Sequence, residues 1–201
     1  MFKTIHPAII ILLLAALVLP ASAGTYQFVP SVSDLEDLPH EYYYSWGISW
    51  AVPAGEQITE AVLFISQIND WTTESNDHLY IHLLDNPQVG VKRWTDYEGG
   101  GDNWASHPLI ANYTDTNSYA ENLTYKFSDV GLINTLTDYA NNNNVFGLGF
   151  DPDCHYYNCG IKLTINTEPK TPPIPEPSSL FALAIGATSV GGLALRRRNN
   201  S

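Results

Sequence analysis

Residues 42–51, YYYSWGISWA, alternate strictly between two faces. Tyr42, Tyr44, Trp46, Ile48 and Trp50 fall on one, and Tyr43, Ser45, Gly47, Ser49 and Ala51 on the other. A period of two with this many aromatics predicts a half-buried strand. The VPAG run at 52–55 marks a turn. Residues 58–68 follow, and 61–65 are apolar on both faces, as a central strand is. Residues 78–84 alternate again, with Leu79, Ile81 and Leu83 together, and Asp85-Asn86-Pro87 ends the run. Leu123, Tyr125 and Phe127 mark another strand; residues 145–150 and 161–165 make two more. One segment changes period. Leu132, Ile133, Leu136, Tyr139 and Ala140 recur at three- and four-residue steps and predict a helix. Ser128 or Asp129 is placed to cap its start, and the asparagine run 141–144 suits its exit. Residues 96–121 are rich in Gly, Asn, Asp, Ser and Thr and read as loop with one or two short edge strands. The pattern predicts an all-β fold, an antiparallel, jelly-roll-like β-sandwich with one short helix. A more open meander packed on that helix is the alternative.

The two ends break this pattern. Residues 1–23 run MFKTIHPAIIILLLAALVLPASA. A lysine, an apolar stretch, a proline and a small–x–small triplet form the three regions of a secretory signal, with cleavage between Ala23 and Gly24 by a signal peptidase. At the other end, residues 168–177 hold five prolines. Proline fixes φ and lacks an N–H, so an extended spacer is expected there. Residues 180–195 carry no charge, and Arg196, Arg197 and Arg198 follow. As a helix this stretch would be roughly 24 Å long, with the arginines reaching the cytoplasmic interface. Separate hydrophobic helices are thus expected at both termini. The expected division is a signal peptide at 1–23, an exported domain at 24–167, a proline-rich linker at 168–177 and a membrane tail at 178–201.

The tail carries a resemblance. Pro175-Glu176-Pro177, a short glycine-bearing apolar segment and Arg196-Arg197-Arg198 at the end closely resemble the PEP-CTERM sorting signal. That resemblance implies recognition by an exosortase, an integral-membrane enzyme that cuts near the Pro-Glu-Pro motif. It also implies export in a Gram-negative bacterium, through an inner-membrane intermediate, to the cell surface or extracellular matrix. Exopolysaccharide is the implied surrounding.

Charge narrows the partners. Between Gly24 and Ile174 there are five Lys or Arg against twenty Asp or Glu. Such a surface repels nucleic acid and anionic lipid and is compatible with divalent cations.

Candidate chemistry is sparse. Cys154 and Cys159 are the two cysteines. In an oxidising compartment an even count predicts a disulfide, contributing about 2 kcal/mol for so small a loop. Asp151, Asp153 and Asn158 put hard oxygen ligands on one segment, a candidate calcium site. Asp70, Asp77 and Asp85 lie on loops that a sandwich can bring to one end. His78 and His82 have the spacing of a helical zinc pair, but the local period is two, so they are expected to face the surface. Trp71, Trp94, Trp104, Tyr97, Tyr156 and Tyr157 fall on predicted loops or strand ends, where aromatics stack on sugars or anchor loops. No nucleophile elbow or phosphate loop is present in the sequence.

The expected function is therefore a non-enzymatic, structural or adhesive matrix protein. The alternatives are a carbohydrate- or calcium-binding module and, behind that, a secreted hydrolase built on a carboxylate pair.

Overall fold

The structure, a computed structural model, describes residues 23–31, 34–70, 72, 77–98, 100–116 and 119–170. Residues 1–22 and 171–201 lie outside it, and with them the two expected terminal helices and the sorting tail. The strands are β1 (Gly24–Phe28), β2 (Asp37–Leu38), β3 (Tyr42–Ser49), β4 (Glu56–Asp70), β5 (Leu79–Asp85), β6 (Gly90–Thr95), β7 (Leu109–Tyr113) and β8 (Glu121–Lys126). The helix α1 (Ile133–Asn143) precedes β9 (Val145–Pro152), β10 (Tyr156–Tyr157) and β11 (Ile161–Pro169).

The stretch that is apolar on both faces becomes β4, the longest strand at 15 residues. One of its edges pairs with β11 and then with β10; the other pairs with β8. The first sheet runs β1-β11-β4-β10-β2, with β8 also on β4, and the second runs β6-β3-β9-β5-β7. Every paired strand is antiparallel.

The fold is thus mostly antiparallel β with one short helix. The finer expectation is corrected: the sheets curl and do not make a clear jelly-roll sandwich. Bulges give a physical reason, because an extra residue bends a strand and increases its twist. The ladders shift register in β4 between Ile65 and Ile68, in β4 again at Thr59 opposite Asn166/Thr167, and in β7 at Ile110 opposite Ile81/His82. The bulged Gln67 has φ 50°, and Asn122 Oδ1 accepts from both its backbone and its side chain.

The two sheets share one core. Leu63, Ile65, Leu163 and Ile165 from the first are fully or almost fully buried, as are Ile81, Leu83, Phe146, Leu148 and Phe150 from the second. Each such side chain stabilises by about 1.5–3 kcal/mol through burial. Leu136 and Ala140 turn the inner face of α1 into the same cluster.

Two local expectations change. The cap of α1 is Leu132, with no side-chain capping bond. Ser128 instead donates its hydroxyl to Glu60 Oε2 at 2.6 Å. The helix exit is as expected, with Asn144 in the left-handed region. The domain also runs past Thr167. β11 continues to Pro169, opposite Glu56, and the Lys170 N–H donates to the Gly55 carbonyl at 2.8 Å.

Candidate functional site

Alternation sends Tyr43 and Ser45 of β3, Gly149 and Asp151 of β9, and Tyr80 and His82 of β5 to the outer face of the second sheet. Residues 100–107 fold over that face. Trp104 lies against Gly149, where an added Cβ would stand 2.8–2.9 Å from the indole. The indole N–H donates to the Tyr44 carbonyl at 3.1 Å. Trp94 stacks on Tyr43, at 5.4 Å between centroids, and meets Trp104 edge-on at 5.9 Å. His82 is buried, correcting the surface position expected for it. Its Nε2 meets Asp102 Oδ2 and its Nδ1 the His107 carbonyl, both at 2.9 Å. His78 pairs instead with Asn112, at 2.9 Å. Beside these rings is a cleft of about 250 Å³, with Trp94, Trp104 and His107 as walls and Asp85 and Gln88 at its side. Ser45 is at its floor, with its Oγ buried and without a hydrogen-bond partner among the described residues.

At the end of β9 the same segment wraps two carboxylates. Asp151 Oδ2 accepts the Asn103 N–H, and Asp153 Oδ1 accepts that of Gly101 at 2.8 Å. Gly101 has φ 98°, which a residue with a Cβ rarely adopts. Burial, with Asp96 and Asp102 nearby, pushes the Asp151 carboxyl up to about 6, although Asn103 donates to it. Asn158 is elsewhere. Its amide donates to the Leu35 carbonyl at 2.7 Å and its Oδ1 accepts the Gly160 N–H. The trio Asp151, Asp153 and Asn158 is therefore not assembled as a ligand set.

A different acidic set converges on the other side of this strand end. Ligand atoms of Asp70, Asp77 and Cys154 all lie within 4.8 Å of one another. Asp70 closes β4, and Asp77 stands two residues before β5. The Cys154 thiol donates to Asp70 Oδ1 at 3.2 Å. Asp115, just past β7, accepts the Asp70 backbone N–H at 3.0 Å. All three aspartates are buried. Burial is the main influence raising the Asp70 carboxyl, with Asp77 adding to it. The sequence grouping of Asp70, Asp77 and Asp85 is thus half right. Asp85 is at the opposite end of β5, accepting from Asn143, and Asp115 was not foreseen.

The expected disulfide is corrected too. Both cysteines are free thiols. Residues 156–159 run alongside β4, so Cys159 N–H meets the Ser66 carbonyl while Cys154 meets Asp70. The Cys154 thiol donates to Asp70 Oδ1 and is half-buried, while Cys159 is exposed, so the two side chains turn to different surroundings. Of the other aromatics, Tyr156 is fully buried and Tyr97 is 93% exposed. Tyr157 stacks on His155, and Trp71 lies outside the described residues.

No curated protein matches the chain. A family model does match its tail, over residues 173–198, and its description is PEP-CTERM protein-sorting motif. The match contains Pro175, Glu176, Pro177 and Arg196–Arg198. Such a motif implies exosortase processing, export and surface sorting. The described domain ends at Lys170, three residues before the match begins, and residues 173–198 carry the PEP-CTERM protein-sorting motif.

Proposed function

We propose that this chain is a non-catalytic protein of the extracellular polysaccharide matrix. A signal peptidase releases it after Ala23, and an exosortase cuts it near Pro175–Pro177 while residues 180–198 rest in the inner membrane. The observation that carries this reading is the motif match at 173–198. The test is the intact mass and C-terminal peptide of the protein recovered from its own host, fraction by fraction. A surface or matrix fraction that starts at Gly24 and ends near Pro177 is the expected result. A chain found solely in the inner membrane, still holding residues 180–201, overturns it.

The cleft at Trp94 and Trp104 supports a finer reading, carbohydrate binding. Trp94 is 38% exposed, so its ring is open to a ligand, and it is already held rigid by Tyr43. The volume is below the roughly 300–1,000 Å³ of a typical small-molecule pocket, which fits one sugar ring or the edge of a chain. Binding of exopolysaccharide purified from the same host is expected to weaken about tenfold in Trp94→Ala, the scale of losing a central interface tryptophan. Equal binding by the variant sinks this reading and leaves the sorting route untouched.

A further inference from the structure

We infer that Asp70 and Asp77, with the Tyr156 hydroxyl beside them, form a binding site for a hard divalent cation, with calcium as its natural occupant outside the cell. The choice of calcium rests on the export reading above; the geometry of the site does not.

The chain spends stability to build this cluster. Burying a carboxylate is costly unless it is paired or bound to a metal, and here two buried ones, from the end of β4 and the approach to β5, come within 4.8 Å of each other. Asp70 Oδ2 is buried and has no hydrogen-bond partner among the described residues. A second atom makes the same demand independently. Tyr156 is fully buried, its hydroxyl has no partner, and it faces Asp70, Asp77 and Cys154. Its position follows from register, because Tyr156 stands directly opposite Asp70 across β10 and β4.

A proton shared between Asp70 and Asp77 would ease their repulsion. It would leave the Tyr156 hydroxyl unmet. A cation with its remaining water ligands answers both, since carboxylate, hydroxyl and water oxygens are what calcium collects six to eight of. The thiol argues the same way. Cys154 points its hydrogen at Asp70 Oδ1, so it serves as a donor that orients a carboxylate. A thiophilic metal would need that sulfur deprotonated and facing the ion.

The experiment uses the full chain, purified in detergent and stripped with a chelator. Calcium binding is followed by calorimetry, and terbium binding by luminescence sensitised through Tyr156 and Tyr113, whose rings are 5.8 Å apart. Saturable calcium binding that displaces terbium is expected. Asp77→Asn is expected to weaken it about tenfold or more, because affinity follows ligand charge. Cys154→Ser should leave it within about twofold, because the thiol is not a ligand. Asp151→Asn, in the neighbouring acidic group, should leave it unchanged. The wild-type titration needs no variant to fold, and a wild type that binds neither ion overturns the proposal. So does an Asp77→Asn protein that folds and binds as tightly as the wild type, or loss of binding in Asp151→Asn instead. Zinc binding that outcompetes calcium and vanishes in Cys154→Ser overturns the hard-cation assignment. None of these results depends on where the tail is cut.

Discussion

Gly149 shows how one missing side chain shapes the outer face. Trp104 occupies the space a Cβ would need, so Gly149→Ala must push the indole away or distort β9. A cost of about 1–3 kcal/mol is expected for such overpacking, read as a lower Tm together with a change in tryptophan fluorescence. Asp151 sets a pH dependence. Its carboxyl rises from 3.8 to about 6 on folding, chiefly through burial. The folded state therefore holds this proton more tightly than the unfolded chain. Its contribution to stability is full below about pH 4 and is lost as pH rises through 6. Asp151→Asn removes that loss. The variant is expected to match the wild type near pH 4 and to exceed it at pH 7 by up to about 3 kcal/mol, measured by denaturant unfolding at each pH. The cysteines give a third test. Cys159 is exposed, while burial and the Asp70 carboxylate push the Cys154 thiol up to about 11. Without reductant, iodoacetamide should label Cys159 in the native protein and Cys154 only after unfolding. A mass two hydrogens short, with no labelling, would instead signal a bridge.

At the scale of elements, the strands with a strong period were legible. Residues 42–51 became β3, 58–68 became most of β4, and 78–84 became β5, because a two-residue alternation has one cheap solution once one face must be buried. Weaker strands were not. β6 holds Lys92, Arg93 and Trp94 at an edge of its sheet, where burial imposes little pattern. β10 is two residues long and exists because β4 offers it an open edge. The cap of α1 was misread for a related reason: Ser128 had a better acceptor in Glu60, 68 residues away in sequence. The exit of α1 was read correctly, since Asn is among the few residues that accept the left-handed region. Asn144 has φ 55° there. Asn144→Ala is expected to cost about 1 kcal/mol and Asn144→Gly to cost little, both by thermal unfolding.

For the whole molecule, the tail was the most legible part, because its three features sit in a fixed order within one short stretch. The acidic site was the least. Asp70, Asp77 and Cys154 are drawn together by strand pairing, and no local spacing encodes that. The same limit applies to the cysteines, which are close in sequence and still stay unbonded. One arrangement joins the two ends of the domain. Gly24 opens β1 directly opposite Thr167 of β11, so the chain enters and leaves at neighbouring points of one sheet. β11 has β4 on one side along its nine residues and β1 on the other along five. A matrix that pulls on the domain while its C-terminal end is held would draw β11 along its own axis. The cross-strand hydrogen bonds would then resist together in shear, where a hairpin pulled from one end would open bond by bond. The domain is thus hung from a strand stitched on both sides.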